Sequence, residues 1–163
     1  MSSRPVTQTT IDTLFGTAEI PEEHCWHAHA ALPGFPDDRR FVLLDLEPYR
    51  PLTWLQSLDD TSLCFPLARP ACFSLDYPPP PTEALFGFAA PDALLLNMVV
   101  FDGGNGAAPK ATPHARAPLC FDPASMRFVQ WILANENACG REASPAGDAR
   151  EIPLPAVGLG GAA

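Results

Sequence analysis

Proline recurs along this chain at intervals that no long regular element tolerates. Twenty of the 163 residues are proline, about 12% where about 5% is usual. Proline cannot donate a backbone hydrogen bond and fixes its own φ, so helix interiors and central strands exclude it. A chain punctuated in this way is not a helical bundle. It must be assembled from short elements joined by stiff turns. At this length one domain is expected, large enough to bury a core without disulfides or metal.

Between the prolines the apolar residues fall in short, strand-like runs. Residues 16–20 and 23–30 are expected to be strands, ending at a Leu32-Pro33-Gly34-Phe35-Pro36 turn. Proline presets one turn φ there and glycine accepts the positive one. A third strand over residues 40–46 carries the apolar run Phe41, Val42, Leu43 and Leu44, and Pro48 and Pro51 then break the chain. Residues 54–58 and 63–68 form a hairpin about the polar turn Asp59-Asp60-Thr61-Ser62. Pro78 to Pro81 make a polyproline segment crossing the surface. Thr82 is expected to cap a short helix ending at Phe86. Residues 94–101 are apolar nearly throughout, as in a central strand covered on both faces. Gly103-Gly104-Asn105-Gly106 is a flexible loop without the pattern of a phosphate cradle. Residues 115–121 and 126–133 supply a last pair of strands around Asp122-Pro123. The sum is a mostly β, antiparallel barrel or sandwich with one short helix. Residues 1–10 are expected to be a flexible N-terminus, 11–135 the β domain, and 136–163 a disordered tail.

Ten basic residues against 19 acidic ones leave a net charge of −9. That balance opposes nucleic-acid binding, which depends on Lys and Arg neutralising phosphates, and steers basic partners toward the surface. The five cysteines, Cys25, Cys64, Cys72, Cys120 and Cys139, are odd in number and include no C-x-x-C pair. Neither a disulfide framework nor a zinc knuckle is indicated. The first residues lack a hydrophobic signal core, and the run Ala93 to Leu96 is far short of a membrane span. A cytoplasmic location without membrane contact is expected.

Candidate chemistry is sparse. On a strand, Cys25, His27 and His29 would share a face. Alternate side chains there stand about 6.5–7 Å apart, too far to converge on an ion bonded at about 2.0–2.3 Å. No distant Cys/His pair completes such a site, so no metal is expected and the segment reads as a half-exposed strand face. There is no G-x-S-x-G elbow, and Ser57 and Ser62 stand beside aspartates with no histidine near in sequence. No catalytic residue, no cofactor and no enzymatic activity are expected.

The ordered set of Phe15-Gly16, Leu32-Pro33-Gly34-Phe35, Arg40-Phe41, Trp54-Leu55-Gln56-Ser57-Leu58-Asp59-Asp60, the apolar residues 63–67, Pro70, Phe73, Tyr77 and Leu96-Asn97-Met98 resembles the FliW family of flagellar assembly factors. The resemblance runs from about Ile11 to Leu133. It departs at Ala31, where relatives carry glycine, at the prolines 78–81, at the histidine-rich strand, and after Gly103, where only Arg116-Ala117-Pro118 and Phe128-Val129-Gln130 match loosely. It implies a small antiparallel β-barrel-like domain without enzymatic activity. It also implies two protein partners, flagellin and the RNA-binding translational repressor CsrA. Flagellin sequesters the FliW-like protein; its export releases that protein to bind CsrA away from the RNA site and relieve repression of flagellin translation.

The expected site is a surface. Leu32, Pro33, Gly34 and Phe35 offer an apolar, pre-ordered turn with Phe35 as anchor. Asp59 and Asp60 would meet basic residues at the rim, and Gln56 and Ser57 would add hydrogen bonds if they face outward. Each has a structural alternative: Phe35 in the core, Gln56 satisfying buried backbone, Asp59-Asp60 merely capping the turn. Trp54 and Leu55 are expected in the core. Two other functions stay open: a FliW-like domain with a non-flagellar partner, and a metal-binding or enzymatic β-domain built on Cys25, His27 and His29.

Overall fold

A computed structural model describes residues 8–13, 15–102, 110–133 and 141–142. In chain order the strands are β1 (Gln8–Thr13), β2 (Gly16–Pro21), β3 (Trp26–Ala28), β4 (Arg40–Asp45), β5 (Thr53–Ser57), β6 (Cys64–Ala68) and β7 (Leu75–Asp76). After the single helix α1 (Thr82–Phe86) come β8 (Leu94–Asp102), β9 (Lys110–Pro113), β10 (Leu119–Asp122), β11 (Arg127–Gln130) and β12 (Arg141–Glu142). Seven strands close into a ring in the order β10-β11-β3-β4-β5-β6-β8, with β8 pairing back onto β10 and β9 attached to the distal half of β8. The ring is antiparallel except where β11 meets β3 in parallel. The fold is thus mostly β, a closed barrel with one short helix.

Alternation along the strands explains which residues fill it. Trp26, Ala28, Phe41, Leu43, Leu55, Leu67, Leu96, Leu119, Phe121 and Phe128 point inward and form one buried cluster with Leu32. Three aromatic rings pack at its centre: Phe121 stacks on Phe128 at 5.1 Å, and Trp26 meets Phe121 edge-on at the same distance. Burying each such side chain contributes roughly 1.5–3 kcal/mol. The run Phe41 to Leu44 is continuous rather than alternating because the outer face of β4 is covered as well. Val42, Leu44 and Leu46 pack outside the ring against Ile11, Ala18 and Ile20 of the β1–β2 hairpin. A third cluster seats Phe86 of α1 and Ala90 over Cys120 and Val129 on the outside of β10 and β11.

Several expectations need correction. Residues 8–10 belong to β1 rather than to a flexible terminus. The segment 23–30 is not one strand. Glu22–His24 is a single 3₁₀ turn, and the strand is only Trp26–Ala28, because just Trp26 and Ala28 have core positions to fill. Thr82 lies inside α1; Pro81 occupies the cap position, and the Thr82 hydroxyl instead accepts the Ala90 N–H at 3.3 Å. Gly87 ends the helix at φ +82°, a conformation that favours glycine. β8 is central only as far as Val99: beyond it Val100 and Phe101 are exposed, since the β8–β9 hairpin leaves the barrel. The expected pair over residues 115–121 and 126–133 shortens to β10 and β11. The glycine loop 103–106 lies outside the described residues, as does the tail 136–163 apart from Arg141–Glu142, which pair with β7.

Candidate functional site

One end of the barrel gathers the residues singled out from the sequence. Leu32-Pro33-Gly34-Phe35 is a type II turn: Phe35 N–H donates to Leu32 C=O at 2.8 Å and Gly34 holds φ +88°. Nothing lies within 4 Å of where a Gly34 side chain would begin, so glycine is needed for its backbone and not for space. Leu32 turns into the core and is buried. Phe35 is half-buried against Phe65, ring centroids 5.2 Å apart. Pro33, Gly34 and Pro36 are exposed.

The β5–β6 tip is tied to this turn by side chains. Ser57 is fully buried; its hydroxyl donates to Asp38 at 2.7 Å and accepts the Asp59 and Asp60 N–H groups at 3.1 and 2.9 Å. Gln56 is also fully buried, and its amide donates to the carbonyls of Ser57, Thr61 and Leu63 at 2.9, 3.0 and 3.3 Å. Asp59 accepts the backbone N–H groups of Arg39 and Arg40 at 2.8 and 2.9 Å and ion-pairs with the Arg40 guanidinium at 3.1 Å. Burial works to raise the Asp59 carboxyl, but those backbone donors and Arg40 outweigh it and hold it below the usual carboxylate range. Asp60 accepts the Ser62 N–H and hydroxyl at 3.0 and 2.6 Å, which likewise holds its exposed carboxyl low.

Four of the eight expected contact residues make structural contacts within the chain. Gln56 and Ser57 do not face outward; they satisfy the backbone of the hairpin tip. Leu32 is core. Asp59 is occupied by the β4 entrance. Pro33, Gly34, the free edge of Phe35, and Asp60 remain on the surface. Sequence reasoning missed Asp38, the buried carboxylate that receives Ser57, and Arg39. Their partners lie 19 and 20 residues away, beyond any local signal.

The histidine segment does not assemble as a ligand set. Cys25 is buried with its thiol near Trp26 C=O at 3.9 Å, His27 is exposed, and the His29 ring leans on Phe86 at 5.5 Å. Burial pushes the Cys25 thiol up, with Asp59 and Glu22 acting the same way against Arg40. Among the described residues no group of three or more His, Cys, Asp or Glu is placed to hold a metal ion. Nor is any helix among them long and apolar enough to cross a membrane.

Fold and surface together define a class: a small closed β-barrel whose distinctive residues build one rigid, turn-bearing end. A family model described as FliW protein matches residues 9–143. The flagellar assembly factor FliW of Thermotoga maritima is 32% identical over 127 residues, covering 77% of this chain and 85% of that protein. That of Syntrophotalea carbinolica is 32% identical over 143 residues, covering 84% and 98%. A crystal structure of the flagellar assembly factor FliW superposes with a TM-score of 0.68 at 24% identity, over 85% of this chain and all of the other, a likeness of fold. The chain belongs to the FliW family.

Proposed function

We propose that this protein is a cytoplasmic flagellar assembly factor that works by binding other proteins. Flagellin holds it in one state. Once released, it binds a CsrA-type translational regulator and lifts that regulator's repression of flagellin translation. Family membership carries the proposal. The net charge of −9 supports a basic, RNA-binding partner and disfavours competition for RNA phosphates. The contact surface we assign is Pro33, Gly34, the edge of Phe35, and Asp60. Leu32, Gln56 and Ser57 hold that surface in place from beneath, and the exposed Asp59 ties it to the start of β4. A turn fixed by its own hydrogen bonds loses little conformational entropy on binding.

The test is isothermal titration of this protein with flagellin and, separately, with CsrA from the same organism. Micromolar or tighter binding to both is expected, with flagellin blocking CsrA. Asp60→Lys is the variant to use, because Asp60 bonds Ser62 within its own turn whereas Asp59 ties the tip to the start of β4. It should weaken CsrA binding several-fold at low salt while the protein stays folded, its thermal midpoint lowered only slightly by the lost Ser62 bonds. Affinity for CsrA unchanged at low salt would remove the hairpin tip from the interface, and a folded sample binding neither protein would end the flagellar proposal.

A further inference from the structure

The histidine segment, which the proposed function does not use, sits at the meeting point of two arginines. Arg39 lies over β3, where its guanidinium donates to Ala28 C=O at 3.0 Å and His29 C=O at 3.5 Å. From the other side the Arg127 guanidinium reaches His29 Nδ1 at 3.3 Å. A guanidinium can only donate, so Nδ1 is the acceptor. Both cations thus end on one residue, and neither meets a carboxylate among the described residues. In a chain with 19 acidic residues against ten basic ones, that calls for a cause.

The carboxylates that could have answered them are spent elsewhere. Asp122, registered opposite Arg127 across β10 and β11, is buried and accepts the Ser125 hydroxyl at 2.6 Å and the Ala124 N–H at 3.3 Å. Asp59 accepts the Arg39 backbone N–H, but its ion pair is with Arg40. The remaining cross-strand neighbour of Arg127 is His27, exposed on the same outer surface and itself registered opposite Arg40. Beside the cluster, Phe88 is 37% exposed, its ring 6.1 Å from that of His29.

We propose that Arg39, Arg127 and His29 form a docking site for an acidic segment of a partner protein, presenting carboxylates to the two guanidinium groups and an apolar side chain to Phe88. Guanidinium and carboxylate match as bidentate forks, and both forks are already oriented by the carbonyls and the imidazole they touch. A nucleic acid fits less well: the overall charge repels an extended polyanion while leaving a short local carboxylate pair its two partners. The inference stands independently of the flagellar proposal.

The test is fluorescence anisotropy on the full-length protein at about 50 mM salt. The probes are a labelled peptide alternating Asp and Leu, its Asn-for-Asp counterpart, and a short single-stranded RNA. Saturable binding of the acidic peptide alone is expected, against the sign of the protein's net charge. Arg127→Gln should weaken it roughly tenfold without moving the thermal midpoint, and Arg39→Gln should weaken it similarly. Arg127→Glu should abolish it. Equal binding of the Asn peptide, no saturation at millimolar peptide, affinity unchanged in Arg127→Gln, or displacement of the peptide by lower concentrations of RNA would each overturn the assignment.

Discussion

Ser57 shows how one hydroxyl can define a barrel end. It receives two backbone N–H groups of the turn that follows and donates to a carboxylate from another loop. Ser57→Ala strands all three groups, and a loss of about 1–3 kcal/mol is expected. Urea unfolding should show a lower midpoint at unchanged slope; a loss under about 0.5 kcal/mol would mean that water replaces the hydroxyl without penalty. Asp59 adds a pH signature. Its folded pKa is lowered, so its contribution is complete above the unfolded value, about 3.9, and fades as pH falls through the lower folded value. The stability gap between the protein and Asp59→Asn should therefore be widest at neutral pH and narrow below about pH 4, as followed by thermal melts across that range. The local half of this arrangement was legible: Ser57 and Asp60 bond backbone two or three residues on, as turn residues do. That Gln56 and Ser57 point inward was not, because it depends on Asp38 arriving from a loop whose position no local pattern encodes.

Among elements, those with an apolar period of their own were readable and those held by neighbours were not. β4, the β5–β6 hairpin, α1 and β8 stand where their hydrophobic runs put them, within a residue or two. Among its described side chains β1 carries one that is buried, Ile11, and it is a strand because β2 pairs with it along its whole length. β7 and β12 are two residues each and exist only as partners. β3 was overestimated, since the residues before it satisfy their backbone in a 3₁₀ turn. The cysteines report the same geography. Burial pushes Cys120 of β10 up to about 12, helped by Asp122, and Cys64 of β6 up to about 11. Cys72, in the exposed turn before β7, has no such cover. Alkylation of the native protein near pH 8, mapped by mass spectrometry, should modify Cys72 well before Cys64, Cys25 or Cys120, because the thiolate is the reacting form. Equal labelling of Cys120 would mean that α1 lifts off the barrel.

At the scale of the molecule, one core lies inside the ring and two lie outside it, under the β1–β2 hairpin and under α1. The outer covers share strands β4, β10 and β11 with the inner core, so they should unfold with it. Ile20→Ala, in the cover over β4, is expected to cost about 2–5 kcal/mol. Circular dichroism and tryptophan fluorescence should still give coincident transitions, because Trp26 lies inside the ring and Trp54 under the cover. Separate transitions would mean that the hairpin is an independent flap. Barrel or sandwich could not be decided from the residues alone. Closure depends on the β10–β8 and β11–β3 pairings, which join segments far apart in the chain and leave no periodic trace.

The ring is not equally strong all the way round. β4 and β5 are joined along five registered pairs and β5 and β6 along four, whereas β6 meets β8, β3 meets β4 and β11 meets β3 along two each. Mechanically this is a pair of stiff panels hinged by β3 on one side and by a narrow weld on the other. Amide protons in the β4–β5 ladder would be the last to exchange with solvent and those along the welds the first, for opening there breaks few bonds. The barrel would breathe along those lines, and the guanidinium groups of Arg39, reaching β3 from the start of β4, and of Arg127 on β11 straddle one of them.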